Sequence, residues 1–230
     1  MKESLEFFIT DNHIVKLFRG YHDKQLLKDT LSKYIDSDDF VVAFSKLRAY
    51  NNIKDLNGIK VVNYFSINEL QEEIQSLDAP FVAYDFEKEY TPQEELNDAV
   101  NSVRRFSDIA KQNNKGMFLT ITNIDNLTDT IKATVNYADY FVVQGQYFQD
   151  VSIGGGPDLY AEKVLGLVNE IRSVSSIPII AQVSLIKGDL QNCKESYTKV
   201  MDYVDGIVLF YGYDTSISDI DNFYKYVTNL

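Results

Sequence analysis

The chain has no tryptophan, one cysteine and only two histidines. The single cysteine, Cys193, excludes an intrachain disulfide and favours a reducing, cytoplasmic location. His13 and His22 have no cysteine or histidine close to them in the sequence, so we predict neither a metal site nor a cofactor. No segment approaches the length of about 18 apolar residues that a membrane-spanning helix requires. We therefore expect no segment that crosses a membrane.

Basic residues are also scarce, with 22 lysines and arginines against 34 acidic residues and a formal net charge of −12. Nucleic acids and anionic membrane surfaces bind clustered lysine and arginine, and the sequence contains no basic run. We expect a small molecule or a carbohydrate as the ligand, and neither nucleic acid nor a membrane as a partner. The oligomeric state stays open.

Apolar runs typical of strands alternate with helical patterns along the whole chain. After an opening segment at 6–10 and 13–18, the runs lie at 40–44, 59–65, 81–86, 117–122, 140–146, 177–185 and 206–211. Most of them are continuously apolar, as in parallel strands that are buried on both faces. Counting the opening segment once, the pattern predicts an α/β protein with eight β/α units. It indicates a single small (β/α)8 TIM barrel over residues 1–230, with a doubly wound open sheet as the alternative.

The fourth apolar run ends in two carboxylates, Asp85 and Glu87. Side chains alternate between the faces of a strand, so both point the same way, about 6–7 Å apart along the strand. Catalytic residues of TIM barrels gather at the C-terminal ends of the strands, which makes this pair the candidate catalytic site. The alternative is a loop in which both carboxylates cap the next helix. However, Thr91 before Pro92 already predicts that cap.

Uncharged hydrogen-bonding residues are predicted at the ends of four other strands. They are Thr120 and Thr122 in the fifth run, Gln144 and Gln146 in the sixth, Gln182 in the seventh and Tyr211 in the eighth. A carboxylate pair among neutral groups suits a neutral polyhydroxyl ligand better than a phosphate, which calls for arginine or lysine. The alternative is that these side chains only satisfy neighbouring backbone groups.

Several enzyme classes fit this lining poorly. A Schiff-base aldolase needs a lysine that projects inward from a strand, and we expect none there. An enolase-type metal site needs carboxylates from several strands, and a Ser-His-Asp site needs a histidine beside its nucleophile. General acid catalysis remains, with Glu87 as the acid and the charge of Asp85 favouring its protonated form.

Two carboxylates on one strand face lie on the same side of a bound substrate. The carboxyl groups of a conventional glycosidase instead flank the bond that is cleaved. The second catalytic participant would then come from the substrate itself, such as an acetamido oxygen, or from another carboxylate. The candidates for such a carboxylate are Asp125, Asp150 and Asp214, which follow predicted strands.

An Asp-x-Glu at the end of a fourth barrel strand resembles the chitinase-type glycoside hydrolases of family 18. Their strand-four motif is D-x-x-D-x-D-x-E, and its last two acidic positions fall on Asp85 and Glu87. Its first two fall on Pro80 and Ala83, so half of the motif is absent. The resemblance implies a TIM barrel that cleaves a glycosidic bond with Glu87 as the acid.

The same resemblance implies two further positions. Tyr147 corresponds to the family's sixth-strand tyrosine, and Tyr211 is the nearest substitute for its eighth-strand tryptophan, which this chain lacks. Over more of the chain, the segments 84–87 and 91–92, Glu95 and the later glutamines resemble uncharacterised microbial glycosidase-like barrel proteins. That wider resemblance implies no established activity.

The sequence thus predicts a glycosidase-like barrel that acts on a carbohydrate. Glu87 is the general acid and Asp85 its partner. The predicted substrate contacts are Thr122, Gln144, Gln146, Tyr147, Gln182 and Tyr211. Two alternatives stay open, a non-catalytic barrel that binds a sugar-like or other polar small molecule, and a small-molecule isomerase or lyase.

Overall fold

The structure, a computed structural model, describes residues 13–18, 24–43, 46–122, 124–212 and 215–229. Its strands are β1 (His13–Phe18), β2 (Phe40–Ala43), β3 (Ile59–Tyr64), β4 (Phe81–Phe86), β5 (Gly116–Ile121), β6 (Tyr140–Val143), β7 (Ile179–Ser184) and β8 (Gly206–Phe210). Each strand pairs in parallel with the next one along the chain, and β1 also pairs with β8. The predicted strand segment at 6–10 lies outside the described residues.

This pairing confirms an α/β fold with a curled parallel sheet. The doubly wound alternative is wrong, because such a sheet reverses its strand order at a switch point. Here the strand order follows the chain order throughout.

Helices connect the strands and cover the outer face of the sheet. They are α1 (Lys24–Leu31), α2 (Lys46–Ile53), α3 (Ile67–Glu73), α4 (Gln93–Asn97), α5 (Ala99–Gln112), α6 (Ile124–Thr134), α7 (Pro157–Arg172), α8 (Leu190–Val200) and α9 (Ile217–Val227). Pro157 is the first residue of α7, where its missing N–H leaves no helical hydrogen bond unmade. Within the described ranges, no helix is both long enough and apolar enough to cross a membrane.

Strand alternation sorts the apolar side chains into two layers. In β2 to β8, one face of the strand packs under the helices, as Val62 and Tyr64 of β3 do. The other face fills the interior of the curled sheet with Phe40, Val42, Val61, Ala83, Phe118, Tyr140, Val142, Ile180 and Val208. Because both faces are buried, the strands are continuously apolar in sequence.

Aromatic rings fill the interior at the N-terminal ends of the strands. The rings of Phe118 and Tyr140 stack with their centroids 4.6 Å apart, and Phe40 meets each of them edge-on at 4.9 Å. Phe81 lies over Gly116, where an added Cβ would come within 2.1 Å of its ring. This cluster closes one end of the interior, so that only the C-terminal end is left for polar side chains.

Two aspartates set the starting points of neighbouring strands. Asp139 precedes β6, and its carboxylate accepts the N–H of Met117 at 2.8 Å. Asp205 precedes β8, and its carboxylate accepts the N–H of Ile179 at 2.8 Å. These bonds satisfy N–H groups at the beginnings of β5 and β7, one from the second residue of β5 and one from the first residue of β7. The stagger between adjacent strands decides which side chains share a level inside the sheet.

We expect Phe118→Ala to lower the free energy of unfolding by about 3–5 kcal/mol, because it removes a buried ring from the aromatic cluster. Urea denaturation followed by circular dichroism measures this loss. Tyr203 is 59% exposed, and Tyr203→Ala is the matched control, with an expected change within about 0.5 kcal/mol. Equal losses of unfolding free energy in the two variants would contradict the buried position of Phe118 in the aromatic cluster.

Candidate active site

A cavity of about 40 Å³ opens inside the sheet at the C-terminal ends of the strands. Its lower wall is apolar and consists of Val42, Val61, Ala83, Phe118, Val142 and Val208. Its upper wall consists of Asn63, Asp85, Thr120, Gln144, Gln182 and Phe210. A water molecule needs roughly 10–15 Å³ of such space, so the cavity holds about three waters or a group of similar size.

Asp85 is the acidic residue of this wall and is only 2% exposed. Its two carboxyl oxygens accept separate hydrogen bonds, from the amide of Asn63 at 3.2 Å and from the amide of Gln144 at 3.2 Å. The inward faces of β3, β4 and β6 therefore converge on one carboxyl group. Removing either amide would leave a buried carboxyl oxygen without its donor.

Burial raises the pKa of Asp85 well above its ordinary value, and the charge of Glu87 raises it further. The hydrogen bonds from Asn63 and Gln144 act in the opposite direction, because they stabilise the carboxylate. Hydrogen bonding with the Glu87 side chain raises the pKa of Asp85 as well. Burial therefore favours the protonated form of Asp85, whereas the sequence prediction assigned the proton to Glu87.

Glu87 is half-buried and directly follows the last residue of β4. Its backbone carbonyl accepts the N–H groups of Tyr90 and Thr91, at 3.1 and 2.8 Å. Its own N–H donates to the Thr91 hydroxyl at 3.0 Å. The predicted helix cap by Thr91 is wrong, since α4 begins at Gln93 after Pro92 and the Thr91 hydroxyl instead closes this loop. The loop holds the backbone of Glu87 directly above Asp85 in the strand.

Two predicted contacts after the sixth strand do not line the cavity. The strand ends at Val143, three residues earlier than predicted, and a short 3-10 helix begins at Gln146. The two-residue alternation stops with the strand, so Gln146 no longer shares the inward face of Gln144. Tyr147 is 61% exposed and also lies outside the cavity lining.

The prediction assigned Tyr211 to the wrong face of the sheet. Val208 and Phe210 of the eighth strand point into the cavity, so Tyr211 points the other way. It is fully buried in the layer between sheet and helices. The eighth strand thus offers the ring of Phe210 to the cavity, and no tyrosine hydroxyl.

Thr122 also lies outside the cavity lining, because β5 has already ended at Ile121. Both its N–H and its hydroxyl bond the carbonyl of Phe86, at 3.4 and 3.5 Å. Thr120, two residues earlier and paired with Asp85 in the ladder, lines the cavity in its place.

The sequence prediction missed Asn63. Val61 points inward from the same strand, and Asn63 lies two residues further along, at the end where the site was expected. The same parity that selected Gln182 would have found it. Lys60 also lies in β3, but on the opposite face, where its ammonium donates to the carbonyls of Leu56 and Gly58 at 2.6 and 2.5 Å. The lining that the structure describes contains no lysine.

Two other carboxylates are held outside the cavity. Glu95 is buried and accepts the hydroxyl of Tyr84 at 2.5 Å and the N–H of Ile67 at 3.1 Å, so it ties β4 to the start of α3. Hydrogen bonds from Ser152 hold the pKa of Asp150 below its ordinary value, and its carboxylate also bonds the ammonium of Lys187 at 3.3 Å. Neither carboxylate is placed to act with Asp85.

Four more residues named in the sequence analysis lie wholly or partly outside the described part of the chain. Asp214 and His22 lie outside the described residues, as do the side chains of Asp125 and His13. In the parts of the chain that are described, no group of three or more histidine, cysteine or acidic side chains is arranged to hold a metal ion.

Two amide atoms of the cavity wall lack hydrogen-bond partners among the described residues. They are the Oε1 of Gln144 and the Nε2 of Gln182, whose side chains are 8% and 5% exposed. The Gln144 amide bonds the Asp85 side chain, so it does not serve neighbouring backbone as the alternative interpretation holds. Buried polar atoms are almost always hydrogen-bonded, and exceptions at a cavity indicate a place for a bound molecule.

Comparison with known proteins defines the class of fold. No protein-family model matches the sequence, and no curated protein matches it either. Solved structures match over nearly the whole chain at low identity. A chitinase from Chromobacterium violaceum has 9% identity and a TM-score of 0.64, with 94% of this chain and 98% of that chain covered. Triosephosphate isomerase from Bartonella henselae has 13% identity and a TM-score of 0.57, with 96% and 100% covered.

A third match is a phospho-2-dehydro-3-deoxyheptonate aldolase from Thermotoga maritima. It has 11% identity and a TM-score of 0.61, with 95% of this chain and 68% of that chain covered. Similarity at these identities shows the fold alone. The chain has a TIM-barrel-like fold, and its neighbours of that fold include a hydrolase, an isomerase and an aldolase.

The raised pKa of Asp85 predicts a specific pH dependence of stability. The folded protein binds this proton more tightly than the unfolded chain does, so ionising Asp85 costs folding free energy. Between the ordinary carboxyl pKa of 3.8 and the raised folded pKa, this group lowers the free energy of unfolding as pH rises. The slope is at most about 1.4 kcal/mol per pH unit.

Asp85→Asn removes this proton, so we expect its free energy of unfolding, relative to wild type, to increase with pH across that window. Urea denaturation at several pH values between 4 and 8 measures the difference on the scale of about 1 kcal/mol. Asp108 is exposed on α5, and Asp108→Asn is the matched control for the same chemical change at an exposed position. Parallel pH profiles for wild type and Asp85→Asn would contradict a protonated Asp85.

Proposed function

We propose that the protein is a glycosidase-like (β/α)8 barrel that acts on a carbohydrate by general acid catalysis. The observation that carries this proposal is the buried carboxyl of Asp85, bonded by Asn63 and Gln144 in the wall of a cavity, at the strand ends where TIM barrels place their chemistry. The pairing of β1 with both β2 and β8 supports a closed eight-stranded barrel. A single domain and a cytoplasmic location stay predictions.

The two carboxyl groups have different roles because they are buried to different extents. Asp85 is buried and holds a proton, while half-buried Glu87 lies nearer to solvent and to a bound substrate. When that proton moves along their hydrogen bond to Glu87, Asp85 becomes a carboxylate. The amides of Asn63 and Gln144 already donate to its two oxygens, so they stabilise the charge that forms. Glu87 then protonates the oxygen of the leaving group.

The second participant in this proposal is a group of the substrate. Asp85 and Glu87 lie on one strand face, so they act from one side of the scissile bond, unlike the two opposed carboxyls of a conventional glycosidase. No third carboxylate lines the described cavity. The resemblance of the fourth strand to chitinase-type enzymes and the matching fold of a solved chitinase support this choice.

A second candidate function is binding without turnover. Two observations favour it: the unpartnered amide atoms of Gln144 and Gln182, and the absence of a third carboxylate among the described lining residues. In this case the cavity recognises a polar small molecule, and the buried Asp85 is one more hydrogen-bonding group of the site.

The acid role of Glu87 predicts a dependence on the leaving group. Glu87→Gln should lower kcat about 10²–10⁴-fold on a glycoside with an alkyl or sugar leaving group, which needs a proton to depart. The loss should be much smaller on a dinitrophenyl glycoside, whose leaving group departs without one. A panel of such glycosides, assayed with wild type and variant, measures the two ratios.

Glu89→Gln makes the same chemical change two residues further on, at an exposed position, and should leave both rates unchanged. Equal activity of Glu87→Gln and wild type on the alkyl glycosides would refute the acid role. Ligand-dependent thermal stabilisation across the panel without any turnover would favour the binding function instead.

A further inference from the structure

Two glutamines that line the same cavity carry complementary unpaired atoms. The Oε1 of Gln144 is an acceptor and the Nε2 of Gln182 is a donor, and neither has a partner among the described residues. Both side chains line the cavity and are more than nine-tenths buried. One hydroxyl group satisfies both atoms at once, because it donates one hydrogen bond and accepts another. A carbonyl accepts only, and an ammonium donates only, so each leaves one atom unpaired.

The rest of the cavity limits what carries that hydroxyl. The space of about 40 Å³ takes a group of about three heavy atoms, so a larger ligand extends out of the cavity. Below the polar level the wall is apolar, with Val142 and Val208 on the strands that carry the two glutamines. A methylene group packs against such a wall without leaving a polar atom unpaired.

The charges of the wall also favour a neutral group. No lysine or arginine belongs to the described lining, so an anion would enter without a counter-charge. The one acidic residue is Asp85, whose pKa is raised by burial. A protonated carboxyl offers a cation little attraction.

We propose that the cavity binds a hydroxymethyl group that a neutral polyol or sugar inserts between Gln144 and Gln182. The methylene lies against the valine wall, and the hydroxyl donates to Gln144 and accepts from Gln182. The inference rests on the proposed function in one respect, that the remainder of the ligand lies outside the cavity beside Glu87. Recognition of the hydroxymethyl group does not depend on turnover.

The test uses small probes in solution and the side-chain amide signals of glutamine in a nitrogen-proton NMR spectrum. Ethylene glycol should shift the Gln182 amide signals saturably, with millimolar affinity. 1,2-Dimethoxyethane carries the same two-carbon unit with both hydroxyls methylated and should cause no saturable shift. Glycolate carries a hydroxymethyl group on an anion and should bind at least about tenfold more weakly than ethylene glycol.

Gln182→Met keeps the length of the side chain and removes its donor. We expect it to weaken ethylene glycol binding at least about fivefold, on the scale of one lost hydrogen bond. The thermal midpoint of the ligand-free variant should be unchanged or higher, because Nε2 has no partner to lose. If Gln182 served only the structure, the midpoint would fall. Gln191→Met, at an exposed position on α8, is the control for both measurements.

Two results would overturn the proposal: equal response to ethylene glycol and its dimethyl ether, or wild-type affinity in Gln182→Met. The first comparison needs no variant, so it stands even if Gln182→Met fails to fold. Saturable glycol binding in a protein that cleaves no glycoside would refute the proposed catalysis but support the hydroxymethyl site. Glycoside cleavage that Gln182→Met does not change, in a protein that does not bind glycol, would refute the hydroxymethyl site but support the catalysis.

Discussion

The buried carboxyl of Asp85 is the constraint on which the site depends. A carboxyl group removed from water must keep a proton or gain donors from the protein, and here both happen. Asn63 and Gln144 each donate to one oxygen, and burial together with the charge of Glu87 favours the protonated form of the group. Side chains from β3, from β4 and from directly after β6 therefore meet at one carboxyl group inside the sheet. The apolar aromatic cluster at the opposite end is the complement of this arrangement, since it leaves polar side chains only one end to occupy.

Two glutamines of the cavity wall have side-chain atoms without hydrogen-bond partners, which lowers the stability of the fold. The Nε2 of Gln144 donates to Asp85, but its Oε1 has no hydrogen-bond partner among the described residues. The Nε2 of Gln182 also has none. A wall selected for stability alone would place apolar side chains at these positions, since unpaired buried amides cost folding free energy. Outside the cavity lining, the Oε1 of Gln146 is also without a partner among the described residues, whereas other buried amides are fully bonded. The Gln149 side chain, for example, accepts the N–H of Ser184 at 2.8 Å and donates to Asn192 at 3.1 Å. The contrast indicates that the cavity is where the fold leaves room for chemistry.

The strand pattern was predictable because parallel strands buried on both faces must be apolar throughout, and seven of the predicted runs coincide with strands β2 to β8. The position of Asp85 was predictable for a similar reason, since parity and the end of the run suffice. Parity also held for Gln144 and Gln182, and it would have found Asn63. It failed for Gln146, Tyr147 and Thr122, because alternation applies only while the strand continues, and the ends of strands are set by neighbouring chain segments. Tyr211, one residue past the end of β8, shows the other failure, a residue assigned to the wrong face of the sheet.

By itself the sequence determined the alternation of strands and helices, the acidic balance, and a carboxylate pair at the end of the fourth strand. These are local properties, carried by the order of apolar and polar residues. Only the tertiary structure decided that Asp85 is buried, which raises its pKa, and that amides 22 and 59 residues away in the chain bond its carboxyl group. It also decided the size of the cavity and which amide atoms face it unpaired. The stagger between strands sets these, and no single segment encodes it.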